Sequence, residues 1–139
     1  METRVRWIEN AAFMVETGSG HAFIVDGPES IGGCNLGPRP MELMLASVGS
    51  CSSVDVVRIL RKARQRVSGC EVRVSGTRTE TDPKVFTAIH LHFVVSGTGI
   101  AEHHVRRAVQ LSADKYCSAS VMLGKAAIMS HDYEIVDQD

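Results

Sequence analysis

Pro40-Met-Glu-Leu-Met-Leu-Ala-Ser-Val-Gly-Ser-Cys51-Ser-Ser-Val-Asp-Val-Val57 is the stretch that decides the fold. Pro38 and Pro40 set up a helix start, because proline's missing N–H has no partner in a first turn anyway. Glu42, in that first turn, suits the positive end of the helix dipole. The next residues, Leu43, Met44, Leu45, Ala46, Val48 and Gly49, are apolar or small on nearly every face, which predicts a buried helix. Further on the pattern turns amphipathic. Val56, Val57, Ile59, Leu60 and Ala63 oppose Arg58, Arg61, Lys62, Arg64 and Arg66, and the predicted helix runs to about Arg66. No aromatic residue is interleaved with these cations, so they read as a solvated helix end and not as a nucleic-acid patch. One layer of strands cannot surround a helix that is apolar all round. This predicts an obligate homodimer, in which a second copy covers the remaining face.

Upstream, Arg4-Val-Arg-Trp-Ile8, Phe13-Met-Val-Glu16 and His21-Ala-Phe-Ile-Val25 read as three short strands of an antiparallel meander. Asn10 and Gly18-Ser-Gly20 supply its turns. A Gly- and Pro-rich loop, 29–40, leads into the helix. Downstream, Cys70, Val72 and Val74 alternate with polar residues. Ile89, Leu91, Phe93 and Val95 do the same after a turn at Thr81-Asp82-Pro83, which predicts a hairpin. Helices are predicted over about 100–115 and 118–127, and a last strand over 133–136. This order makes residues 1–139 a single α+β domain, mostly antiparallel sheet around a long buried central helix.

The composition is that of a globular protein, with 44% hydrophobic and 22% charged residues and a net charge of −1. No global attraction to nucleic acid or to an anionic membrane follows from that charge. Met1-Glu-Thr-Arg-Val-Arg-Trp lacks the apolar run of a secretory signal. No unbroken apolar run of about 18 residues is present, so no membrane span is expected. The expected location is the cytoplasm. In that reducing compartment Cys34, Cys51, Cys70 and Cys117 are not expected to form a structural disulfide framework. Their spacing contains no Cys-x-x-Cys.

Two of these cysteines stand in contrasting contexts. Cys51 lies on one helix face with Met44 and Val48. Cys117 precedes Ser118 at the start of another helix, where unpaired N–H groups lower a thiol's pKa. Two such thiols can run a redox cycle, in which a thiolate attacks a peroxide and a second thiol condenses with the sulfenic acid.

The residues around the two cysteines also carry a resemblance. Gly37-Pro-x-Pro40-x-Glu42-Leu43-x-Leu45 leading to Cys51, together with Lys115-Tyr116-Cys117-Ser118 and Leu123, resembles the osmotically inducible protein C (OsmC) and organic hydroperoxide resistance family. It is most similar to the OsmC-like subgroup carrying Lys-Tyr-Cys-Ser. The resemblance implies an intertwined homodimer with active sites at the subunit interface, and thiol-dependent reduction of organic hydroperoxides without a cofactor. It implies that Cys51 is the peroxidatic nucleophile, that Cys117 is the resolving thiol, and that a dithiol donor reduces the resulting disulfide. It further implies thiolate activation by an arginine and a glutamate. Glu42, nine residues before Cys51, is the carboxylate considered for that role, and Arg6 and Arg39 are the arginines. Met41, Met44 and Met122 are expected to line an apolar substrate pocket. The alternative reading is a non-catalytic protein of the same fold that binds a small apolar ligand or acts as a redox sensor.

The remaining candidates are weaker. Cys34 is either an extra resolving thiol or an incidental loop cysteine, and Cys70 is read as a buried structural one. His90-x-His92 shares one face of a strand, yet nothing in the spacing completes a zinc set, so no metal site is expected. Ser52 and Ser53 beside Asp55 lack the strand–turn–helix context of a hydrolase.

Overall fold

A computed structural model describes residues 1–138. The chain divides into two compact units, Met1–Met44 and Leu45–Asp139, with the boundary inside the long helix.

In the first unit, β1 (Thr3–Glu9), β2 (Ala12–Thr17) and β3 (Ala22–Val25) form the expected antiparallel meander, in the order β1-β2-β3. Asn10, at φ 49°, makes the first turn. The loop that follows is organised by Asp26. This carboxylate is buried and accepts the N–H groups of Gly27 at 2.7 Å, Cys34 at 2.9 Å and Leu36 at 3.1 Å. The Leu36 bond, then those from Cys34 and Gly27 and the charge of Arg39, outweigh burial and hold its pKa below the usual carboxylate range. Gly37 allows the loop to lie close to β3, since a Cβ there would stand 2.0 Å from the Ile24 carbonyl oxygen.

Helix α1 spans Pro40–Lys62, and its buried residues, Val48, Gly49, Ser52, Val56 and Leu60, make one stripe. Ala46, Ser47, Ser50 and Val54 on other faces are exposed, so within this chain the helix is covered on one side. At the stripe's centre Gly49 faces β4, where a Cβ would meet Val74 at 2.8 Å. Helix α1 ends four residues earlier than the sequence pattern suggests. Arg64 adopts a left-handed φ of 56°, the Gln65 N–H bonds the Leu60 carbonyl at 3.0 Å and the Arg64 N–H bonds the Arg61 carbonyl at 2.9 Å. This is a Schellman closure with arginine where glycine is usual. The helix also reaches a mean hydropathy of 1.5, enough by length and composition to cross a bilayer. Serines and glycines separate its apolar residues, so no unbroken apolar run marks it in the sequence. The buried core helix of a globular domain has the same composition.

The second unit holds the other sheet, ordered β4-β5-β6, from β4 (Arg66–Arg78), β5 (Phe86–Thr98) and β6 (Ile128–Asp137). The β4–β5 pairing is antiparallel, with Val72 opposite Phe93 and Val74 opposite Leu91. Strand β6 is longer than expected and pairs in parallel with β5. Ile89, Leu91, Phe93 and Val95 of β5 point into the core, as their alternation requires. Helix α2 (Glu102–Leu111) adds Val105, Ala108 and Val109 to that core, and helix α3 (Ser118–Leu123) is short.

On the outer face of β5 and β6, His90 and His92 meet an acidic ladder. Asp132 Oδ1 lies 2.6 Å from His92 Nδ1 and 3.2 Å from His90 Nε2. The hydrogen bond to Asp132, and then its charge and that of Glu134, raise the pKa of His92 above the ordinary 6.5. Asp132 is lowered below 3.8, first by the bond to His92. The His92 contribution to stability is therefore complete below the unfolded imidazole pKa and disappears as pH rises through the raised one. The Asp132 contribution is present above the unfolded carboxylate pKa and disappears as pH falls through the lowered one. Asp132→Asn should consequently lower the melting temperature most between the carboxylate and imidazole ranges, with the deficit shrinking on either side. Thermal unfolding of both proteins across pH checks this, and a deficit independent of pH would contradict the assignment.

Candidate active site

Local sequence brings two remote segments together at one face of α1. Helix α2 does not continue to Lys115 as an α-helix. It passes into a π-helical turn, Ser112–Tyr116, closed by the Cys117 N–H bonding the Ser112 carbonyl at 2.9 Å. Cys117 then turns extended, at φ −75° and ψ 102°, and becomes the N-cap of α3. Serines at 118 and 120 suit such a helix start, since their short polar side chains serve its unpaired N–H groups. The Ser112 hydroxyl donates to the Ser52 carbonyl at 3.4 Å, tying the π turn to α1.

The Cys117 sulfur is completely buried and surrounded by donors. Ser52 Oγ donates to it at 3.2 Å and the Ser120 N–H at 3.4 Å, while the Ser52 and Ser120 hydroxyls stand 3.4 Å apart. Burial is the largest single influence and pushes this thiol up. The hydrogen bonds from the Ser120 hydroxyl, Ser52, Cys51 and the Ser120 N–H together overcome it, and the net shift is downward. Cys51 differs. It is half-buried, and its sulfur, the Cys117 sulfur and an Asp55 carboxylate oxygen lie within 4.8 Å of one another. Its pKa is raised, first by burial and then by the proximity of Cys117 and Asp55, against an opposing hydrogen bond from the Ala119 N–H. Thiolate character thus concentrates on Cys117, and solvent access belongs to Cys51.

The two cysteines singled out from sequence are therefore adjacent in the fold, across 66 positions of chain. Glu42 is engaged elsewhere. Its Oε2 accepts the Arg39 N–H at 2.9 Å, capping the start of α1. Of the two arginines considered, Arg6 pairs with Glu16 at 3.3 Å, and Arg39 Nη1 donates to Asn35 at 2.6 Å and to the Gly37 carbonyl at 3.2 Å. The carboxylate beside Cys51 is Asp55, one turn further along α1. Cys34 is exposed in its loop, and Cys70 is half-buried with its thiol pushed up by burial. Met44 and Met122 are both exposed. Sequence reasoning overlooked Ser52, Ser120 and Asp55 as partners of the thiols. The available signals were the i, i+4 spacing of Cys51 and Asp55 and the serines that stand five places before and three places after Cys117, Ser112 and Ser120.

Because Ser52 is a buried donor to the Cys117 sulfur, Ser52→Ala should raise the Cys117 pKa. Thiolate absorbance titrated against pH in a protein lacking Cys34 and Cys70 reads this directly. An unchanged lower transition would show that Ser52 does not hold the charge.

Comparison with known proteins places the chain in a family. A family model described as OsmC-like protein matches residues 32–131. Protein YhfA of Escherichia coli strain K12 is 46% identical over 136 residues, covering 98% of each chain. The crystal structure of a hypothetical protein from Aquifex aeolicus VF5 is 32% identical with a TM-score of 0.86, over 99% of this chain and 97% of that one. The organic hydroperoxide resistance protein OhrB of Bacillus subtilis shares the fold at 17% identity, with a TM-score of 0.64 over 96% of each chain. With both cysteine neighbourhoods inside the matched region, this chain belongs to the OsmC-like protein family.

Proposed function

We infer that this protein reduces organic hydroperoxides with the Cys51–Cys117 pair. The observation that carries the reading is the meeting of the two sulfurs beside buried donors, with Cys51 on the accessible side. Fold neighbours named as organic hydroperoxide resistance proteins support it. In the first step Cys51, as its thiolate, attacks one peroxide oxygen. The O–O bond breaks, Cys51 becomes a sulfenic acid and the alkoxide takes up a proton to leave as the alcohol. Cys117 then attacks the Cys51 sulfur, a disulfide forms and water departs. Two electrons pass from the thiols to the peroxide, and a dithiol donor restores them through disulfide exchange. Cys117, adjacent and with its pKa lowered by its hydrogen-bond donors, is the group placed to accept the Cys51 proton as that thiol ionises.

The working unit in this reading is a cytoplasmic homodimer. All seven residues of β1 are exposed, Val5, Trp7 and Ile8 among them, although a strand with apolar side chains normally finds cover. In the second unit a groove along α1, lined by Leu45, Ala46, Gly49, Val72 and Val74, is likewise open. A second copy supplies cover for both.

One observation favours the other reading, a redox sensor or apolar-ligand binder. The raised pKa of Cys51 slows attack, because the thiolate is the nucleophile.

The deciding experiment is mass spectrometry of the reduced protein after one equivalent of cumene hydroperoxide. A two-hydrogen loss with a linked Cys51–Cys117 peptide is expected within seconds. Cys51→Ser should abolish turnover, and Cys117→Ser should stall at a sulfenic acid trapped by dimedone. Full activity in Cys51→Ser would overturn the peroxidase assignment, and thiols unchanged after minutes would favour the binding reading.

A further inference from the structure

We propose that Cys51, Cys117 and Asp55 form a binding site for a thiophilic divalent cation, zinc foremost, that reversibly masks the thiol pair. The expectation from sequence spacing was that no metal site exists. Spacing along the chain does not register these three ligands, which converge only through the packing of α1 against the start of α3.

Three features carry the inference. The first is the donor set. Two sulfurs and a carboxylate oxygen lie within 4.8 Å of one another. In a tetrahedral zinc site, bonds of about 2.3 Å to sulfur and about 2.0 Å to oxygen place the ligand atoms about 3.5–3.8 Å apart. Small side-chain rotations close the difference. Thiolates select zinc or copper(I), and the added hard carboxylate favours zinc. The second is Asp55 itself. Its Oδ2 is buried and has no hydrogen-bond partner, an arrangement that costs free energy unless something else approaches it. The third is the shell around the sulfurs. Ser52 Oγ and the Ser120 N–H donate to Cys117, and the Ala119 N–H donates to Cys51. Such donors orient coordinated thiolates and moderate their charge.

Charge balance agrees. Zinc with two thiolates and one carboxylate carries a net charge of −1. Arg58 and Lys62 line the same shallow hollow as Asp55 and are placed to offset it. Cys51 and Asp55 are half-exposed, which leaves a way in for the ion. Any proton still on either sulfur is released as the metal–sulfur bond forms. With both sulfurs coordinated, neither is free to attack a peroxide. The consequence for turnover rests on the peroxidase reading, but binding of the ion does not.

Cobalt(II) is the probe. Titrated into the reduced protein, it should give one equivalent of a tetrahedral spectrum with a thiolate charge-transfer band, bleached by added zinc. Cys51→Ser and Cys117→Ser should lose the charge-transfer intensity, and Asp55→Asn should bind at least tenfold more weakly. The Cys34→Ser, Cys70→Ser double variant should match the wild type. Because a core variant can misfold, the wild-type protein oxidised with diamide is a second control that keeps every side chain, and it should not bind. Absence of the band in reduced wild type, or its survival in Cys117→Ser, would overturn the proposal. Peroxide turnover measured alongside separates the two readings. Cobalt binding without turnover leaves the site standing and removes the peroxidase, and turnover without cobalt binding does the reverse.

Discussion

A large polarisable sulfur buried without compensation is costly when charged, and the second unit is arranged around avoiding that cost at Cys117. Its donors come from two separate elements: Ser52 from the middle of α1 and Ser120 from the first turn of α3. For both to reach one atom, α1 must lie in a fixed rotation against the β4–β5–β6 sheet. Gly49 sets how near the helix approaches β4, and Val48, Val56 and Leu60 fix which stripe faces inward. Cys51 and Asp55 then fall at the edge of that stripe, half in solvent.

The pair of thiols therefore has an asymmetry built by neighbours and not by the cysteines themselves. The sulfur that is richest in donors is the one that solvent does not reach. The accessible sulfur is next to a carboxylate and another electron-rich sulfur, both of which disfavour its ionisation. Interacting thiols lose their protons in two steps whose pKa values belong to the pair, so reactivity at Cys51 is a property of the couple. Neither Arg6, Arg39 nor Glu42 contributes to this within its own unit, because each is occupied by a local partner.

Much of the architecture was legible in the sequence, for identifiable reasons. The alternation of Ile89, Leu91, Phe93 and Val95 has no helical interpretation, and Pro40 with Glu42 marks a helix start. The end of α1 was not legible, because Arg64 adopts the left-handed conformation normally signalled by glycine. The early part of β6 was hidden as well. A parallel partner gives no turn signal, and Ile128 lies exposed. At the site, the cysteines stood out through the two motifs around them. Ser52, Ser120 and Asp55 did not, because small polar residues on a helix become donors or ligands only when packing places something opposite them.

The π turn at Ser112–Tyr116 has a consequence for how this chain can vary. Its closing hydrogen bond spans one residue more than those of the α-helix it ends. Deleting a single residue there would restore regular α-helix and swing everything downstream by about 100° around the axis. Cys117 would leave its serine donors, and α3 would begin on the wrong side. The segment can exchange side chains such as Asp114 or Lys115, both exposed, with little penalty. Its length, by contrast, is as constrained as the identity of a buried residue.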